Sequence, residues 1–168
     1  PELAGGGVMT DMAVHSIDTL RFVLGDVMPT RVSARVGTYF EDIPVEDTAT
    51  MMLEFDGDVT ALIEAGWYNL YADEPQGYTQ VFGTRGYASA VPAEVRLPVQ
   101  GTWSVIRPSF PVRTVQEDLG AFRAQIDHFL DCIVHDKQPK PGGAEGLLVM
   151  RVLEAAYRSA EMGKTVAI

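Results

Sequence analysis

Apolar and polar positions divide the chain into three zones. In the first, apolar residues fall at Val8, Met12, Ile17, Leu20 and Leu24, close to the 3.6-residue period of an amphipathic helix. Gly5, Gly6 and Gly7 precede this pattern. Gly25 ends it, at the C-terminal position where a left-handed backbone costs glycine least. The second zone, from about Thr30 to Val99, reads as strands. Val32, Ala34 and Val36 alternate with Ser33, Arg35 and Gly37. Thr48 to Phe55 is a second run, and Asp56-Gly57 is a hairpin turn signal leading to the return strand Val59 to Tyr68. Tyr78 to Phe82 turns through Gly83-Thr84-Arg85-Gly86 into Tyr87 to Val91, and Glu94 to Val99 alternates again. The third zone returns to helical spacing. Phe122, Ile126, Phe129, Leu130 and Ile133 mark a helix ending near His135. Leu147, Met150, Leu153, Ala156, Tyr157 and Ala160 mark a last one, closed by Gly163. Between zones two and three, Gly101 to Val115 carries Pro108 and Pro111 and reads as an irregular connection.

Strands that follow one another through tight turns, with no helix between them, pair antiparallel. Helices, then strands, then helices, predict an α+β fold over residues 1–168 as a single domain. It has an open, mainly antiparallel β-sheet with helices packed on one face. The other face is expected to be available for dimerisation. Met51, Leu53, Leu62, Trp67 and Tyr68 give an apolar surplus there, and a second copy of the chain is the simplest cover.

Composition narrows the partners. The 168 residues hold 13 Lys+Arg against 23 Asp+Glu, a formal net charge of −10. That balance argues against nucleic acid, whose phosphates require a basic footprint, and against an anionic membrane surface. Hydrophobic residues make up 46%, enough for a folded core. No apolar run approaches the roughly 18 residues needed to span a bilayer. The N-terminus has no basic segment followed by an apolar one. The single Cys132 excludes an internal disulfide framework and fits a reducing, cytoplasmic compartment. The chain opens at Pro1 rather than Met, which reads as an excised domain.

Asp11 and His15 form the sharpest chemical pair. Four apart on a predicted helix, they share a face about one turn apart, just after a glycine run that lets backbone approach a ligand. An imidazole titrates near neutrality and can take and return a hydroxyl proton. A carboxylate one turn away can fix its tautomer, stabilise its charged form or bind a substrate hydroxyl. The same spacing also suits an ordinary helix with a first-turn Asp and a satisfied buried His, or two ligands of a metal whose third ligand is not evident.

Other candidates read more plainly. His128 is a helix-surface residue, His135 a helix C-terminal cation, and Cys132 a core or boundary thiol. Glu46-Asp47 reads as a solvated turn before a strand. Trp67, Tyr68, Asn69 and Tyr71 cluster after a long strand; the aromatics read as core or interface, and a hydroxyl-bearing Tyr there can hydrogen-bond a polyol while its ring packs on the sugar's C–H face. No G-x-G-x-x-G turn follows a strand, and there is no P-loop, G-x-S-x-G elbow or Cys/His zinc spacing. Gly5-Gly6-Gly7 does not qualify as a cofactor cradle, because no strand precedes it. Arg21 and Arg107 are the local cations that could offset the acidic field for an anionic substrate.

The stretch Gly5-Gly6-Gly7-Val8-Met9-Thr10-Asp11-Met12-Ala13-Val14-His15-Ser16-Ile17-Asp18 resembles the G-G-x-(hydrophobic)-x-D-x-x-x-H-x-(I/L)-D signature. That signature opens the C-terminal domain of the glucose-fructose oxidoreductase / inositol dehydrogenase / rhizopine-catabolism family. Val45-Glu46-Asp47-Thr48-Ala49 is similar to the family's E-D-T-A strand opening, and Val81-Phe82-Gly83-Thr84-Arg85-Gly86 to its V-x-G-x-x-G hairpin. Phe122 to Pro139 and Ser159 to Lys164 resemble its closing helices.

The resemblance implies a fold like the C-terminal domain of glyceraldehyde-3-phosphate dehydrogenase. It implies an NAD(P)-dependent oxidoreductase acting on a CH–OH group of a sugar or polyol. An N-terminal Rossmann domain, absent from this chain, would bind NAD or NADP and supply a lysine from a Glu-Lys-Pro motif. By the same match His15 would be the general acid/base and Asp11 its partner or a substrate ligand, with Thr10 and Tyr71 as substrate contacts. No metal is expected. The chain would be the substrate-binding half of a homo-oligomer, a dimer or tetramer, inactive alone. The competing expectation is a non-catalytic oligomerisation or regulatory module that keeps the fold; a metal-dependent lyase or isomerase is a third.

Overall fold

A computed structural model describes residues 5–68, 79–90, 93–109 and 119–168. In chain order it contains a π-helical turn (Met9–Ala13), α1 (Val14–Leu24), β1 (Pro29–Gly37), β2 (Thr48–Phe55) and β3 (Thr60–Gly66). There follow β4 (Gln80–Gly83), β5 (Gly86–Ser89), β6 (Glu94–Val99), β7 (Thr102–Ile106), α2 (Leu119–Val134), α3 (Gly143–Met162) and β8 (Val166–Ala167). The α+β class with antiparallel sheets holds. The strands divide into two four-stranded sheets, one in each of two compact units.

The first unit comprises Pro1–Leu70 and Pro141–Ile168. Its sheet has the order β3-β2-β1-β8, antiparallel throughout, with Val32 opposite Leu53, Ala34 opposite Met51, and Met51 opposite Ile63. Those five side chains face inward and are nearly inaccessible, as are Val8, Met9, Ala13 and Ile17 from the N-terminal segment. Helix α3 closes this core with Val149, Val152, Leu153, Ala155 and Ala156, packed against β1 and α1. Two expectations change here. Met51 and Leu53 lie on the covered face, so the outer face carries far less apolar surface than predicted: Met52 and Leu62 stand among Arg31, Arg35, Glu54 and Glu64. Leu147 and Met150 are exposed, because α3 turns the face carrying Val149, Val152, Ala156 and Ser159 to the sheet instead. The reason is Ser159, wholly buried, whose Oγ accepts the Ala34 N–H at 3.0 Å and donates to the Lys164 carbonyl at 2.7 Å. That bond satisfies the Ala34 N–H on the edge of β1 beyond the reach of the two-residue β8.

The second unit is Tyr71–Lys140. Its sheet is a meander in the order β4-β5-β6-β7. The Gly83–Gly86 hairpin stands as predicted. Strand β7 falls inside the stretch read as irregular. Gln100 and Gly101 both take positive φ, 48° and 81°, and make the two-residue turn that pairs β7 with β6. At β6, the buried Glu94 is gripped by Arg96 and Arg107. Helix α2 begins at Leu119 and ends near the predicted His135. There Asp131 holds His135 at 2.7 Å and Lys137 at 2.9 Å. His128 is exposed, as expected; its Nε2 accepts the Lys140 N–H at 3.1 Å, and Cys132 is buried beside it. No helix among the described residues is long and apolar enough to cross a membrane.

Candidate functional site

The segment carrying Asp11 departs from a regular helix. Met9–Ala13 is a π-turn, and α1 begins only at Val14. The core-facing residues step by five across it, Val8 to Ala13, and by four afterwards, to Ile17 and Arg21. An α-helical period places Met12 inward. The widened turn instead leaves Met12 38% exposed and buries Met9. π-Turns of this kind recur at functional sites because they re-aim side chains without ending the helix.

The cause of the turn lies far away in sequence. Glu46, immediately before β2, accepts the Val8 N–H on its carbonyl at 2.9 Å and the Met9 N–H on Oε1 at 3.2 Å. The same Oε1 takes the Tyr157 hydroxyl from α3 at 2.6 Å. Tyr157 has one proton and gives it to Glu46, so the Thr10 hydroxyl, 3.1 Å away, donates to the Tyr157 oxygen. Burial raises the Tyr157 pKa, and its bond to the Glu46 carboxylate raises it further. Glu46 thus ties the helix start to α3 and fixes which way Thr10 points.

The glycine run has a different purpose from the one its sequence suggests. A Cβ on Gly6 would strike the Thr10 hydroxyl, and one on Gly7 would strike the Glu46 carbonyl. These glycines make room for the protein's own groups rather than for a ligand.

Asp47 is likewise not a solvated turn residue: it is fully buried. Its carboxylate accepts the Tyr39 N–H at 2.9 Å, the Phe40 N–H at 2.8 Å and the Thr48 hydroxyl at 2.9 Å. Burial by itself pushes the Asp47 pKa up. The Phe40 N–H, the Thr48 hydroxyl and the Tyr39 and Glu41 N–H groups outweigh it and hold the carboxyl below its ordinary value. The Asp47 carbonyl accepts the Trp67 N–H at 3.1 Å, extending the β2–β3 ladder one residue past Gly66.

Trp67 then reaches the site, its indole N–H donating to Asp11 Oδ2 at 2.8 Å. Asp11 and His15 are both exposed, and among the described residues no hydrogen bond or ion pair joins them to each other. The carboxylate is held by an indole rather than serving the imidazole. Thr10 sits beside the pair, committed to Tyr157. Tyr71 lies outside the described residues. Arg21, though buried, is engaged with Asp18 and Asp26 at 3.4 Å, and Arg107 with Glu94. Neither is a free cation for a substrate. Among the described residues no three His, Cys, Asp or Glu side chains converge as a metal site. Sequence reasoning misses Glu46, Trp67 and Tyr157 as site-building residues. Only the E-D-T-A resemblance hinted at the first.

An exposed Asp11 and His15 at the head of a helix, backed by an antiparallel sheet, place the candidate site on an α+β domain. The chain belongs to the GFO/IDH/MocA C-terminal domain family, which matches residues 1–89. It is 28% identical over 95% of its length to D-apiose dehydrogenase of Paraburkholderia graminis, covering 44% of that protein. It is 27% identical over 98% of its length to D-xylose 1-dehydrogenase [NADP(+)] of Haloarcula marismortui, covering 45% of it. The crystal structure of aldose-aldose oxidoreductase from Caulobacter crescentus, complexed with glycerol, superposes with a TM-score of 0.77. The identity there is 28%, over 99% of this chain and 49% of that one. The chain spans about half the length of the curated relatives it matches.

Proposed function

We propose that this chain is the substrate-binding half of an NAD(P)-dependent oxidoreductase acting on a CH–OH group of a sugar or polyol. The observation that carries this reading is the exposed Asp11 and His15, with Asp11 held by Trp67 and no hydrogen bond or ion pair on the imidazole among the described residues. The relatives are sugar dehydrogenases, one of them named for NADP(+). The nicotinamide, carried by another domain, supplies the hydride acceptor when bound. This chain's own share is placement and proton handling. His15 takes the carbinol hydroxyl proton, aided by a lysine from the cofactor-binding half. Asp11 accepts a hydrogen bond from a neighbouring substrate hydroxyl. The Thr10 oxygen, its own proton turned inward, offers a second acceptor, and Tyr71 is proposed as a further contact.

The experiment joins the chain to a nicotinamide-binding half and replaces His15 with Ala. The expected result is a fall in kcat of about 10²–10⁴-fold across a polyol panel, the range of a lost general base. Unchanged turnover would remove His15 from the chemistry. We further propose that two copies pair across the outer face of the first sheet, where Met52 and Leu62 are flanked by Arg35 and Glu64. Leu62, 78% exposed, is the residue whose change to Arg should convert a dimer to a monomer in light scattering.

A further inference from the structure

We propose that Trp67 is a positioning residue for Asp11, one whose indole N–H clamps Oδ2 in a single orientation and leaves Oδ1 to meet a substrate hydroxyl. The substrate half of this statement rests on the oxidoreductase reading above; the clamp does not.

An exposed aspartate on a helix ordinarily samples several rotamers, and ordering it only when substrate arrives costs binding energy. Here the ordering is done in advance. Trp67 is the first residue beyond β3, and its main-chain N–H is fixed to the carbonyl of Asp47 at 3.1 Å. Asp47 is itself locked by two N–H groups and a hydroxyl. Period-two alternation puts Trp67 on the same side of β3 as Ile63 and Ala65, the side that packs against the π-turn. Its ring is partly buried against the core. The indole can therefore swing little, and its single N–H falls 2.8 Å from Asp11 Oδ2.

The kind of donor matters as much as the distance. An arginine in this place would fork onto both oxygens and neutralise the carboxylate. Indole nitrogen has one proton, no charge and no acceptor function. It restrains one oxygen and leaves the negative charge and the second oxygen uncommitted. Among the described residues no Lys or Arg pairs with Asp11. A carboxylate prepared in this manner suits a ligand that donates, such as a hydroxyl of a sugar, rather than one that brings a carboxylate or phosphate.

The chain has two tryptophans, Trp67 and Trp103, so indole-15N labelling gives two signals from these 168 residues. The Trp67 indole proton is expected downfield and slow to exchange, and to lose both properties in Asp11→Ala while Trp103 does not move. A Trp67 signal indifferent to Asp11→Ala overturns the clamp. In the enzyme joined to its cofactor-binding half, Trp67→Phe keeps the ring and removes the donor. It is expected to raise KM for a polyol about tenfold, the scale of one hydrogen bond to a charged group, with kcat within twofold. A merely structural role would lower the active fraction, hence kcat, and leave KM alone; that result, or wild-type kinetics, overturns the proposal. If the joined enzyme oxidises no polyol at all, the substrate half falls with the oxidoreductase reading. The indole signals still decide the clamp.

Discussion

Two buried carboxylates in this chain are satisfied in opposite ways. Asp47, in the first unit, is surrounded by neutral donors: the Tyr39, Phe40 and Glu41 N–H groups and a threonine hydroxyl. Glu94, in the second, is neutralised by two guanidinium groups, with Arg96 Nε on one oxygen at 2.6 Å and Arg107 Nε on the other at 3.2 Å. The charge of Arg96 is shared further with the Tyr87 ring, 5.4 Å away. Both carboxyls are held below their ordinary values, Glu94 first by the Arg96 hydrogen bond and Asp47 by dipoles that overcome burial. The difference lies in what is left over. The Glu94 cluster is closed on itself. The Asp47 network brings no counter-charge to Asp11, which is held by the Trp67 indole and has no ion pair among the described residues.

The largest effect should come from breaking the dipolar side. Asp47→Ala leaves the Tyr39 and Phe40 N–H groups and the Thr48 hydroxyl without their acceptor in a buried place, and loosens Trp67 as well. Melting of the first unit, followed by near-ultraviolet circular dichroism, should fall further than for any surface substitution. The pH dependence has a definite sign. A carboxyl whose pKa is lowered by folding contributes its full stability above the ordinary aspartate value of 3.8, and loses it as pH falls through the lowered folded value. Acid unfolding of the wild type should therefore be steepest below pH 3.8, and Asp47→Asn should flatten it. Glu94→Gln should cost less, because Arg96 and Arg107 are 49% and 67% exposed and can turn to water.

Next in size is Gly7→Ala. The added Cβ meets the Glu46 carbonyl, a main-chain atom that cannot swing aside. The cost should be about 2–3 kcal/mol, in the range for an overpacked site, read from chemical denaturation. This position also shows what the sequence could disclose. The strand β2 reads correctly to the residue, since Thr48 to Phe55 alternates and is bounded by a turn signal. That Asp11 and His15 fall close together at the head of the first helix is legible, because four positions along the chain are a local relation. The π-turn between them is not, since Val8 to Leu24 also fits an α-helical period and the departure is imposed by Glu46, some 37 residues on. Trp67 and Tyr157 stay hidden for the same reason, as their roles are defined by partners 56 and 111 positions away. Strand β7 escaped notice because its turn, Gln100-Gly101, lacks the Asn or Asp that usually marks such a hairpin.

The smallest expected effect is the one that separates the two designs most cleanly. In about 1 M salt the screening length shrinks to about 3 Å. Attraction between half-exposed guanidinium groups and Glu94 should weaken, and amide protons in the β6–β7 pairing, Val95 to Ile106 among them, should exchange faster. The Tyr39 and Phe40 N–H groups should not respond, because they point at a wholly buried carboxylate that ions cannot approach. Arg107→Gln should remove most of the salt response in the meander and change nothing around Asp47. Equal acceleration at both places would mean that salt acts on global unfolding. The contrast between dipole-held and ion-held carboxylates would then have no energetic content. Acceleration confined to the meander would show that the ground beneath Asp11 is insensitive to ionic strength, as a site that must keep an unneutralised carboxylate in fixed register requires.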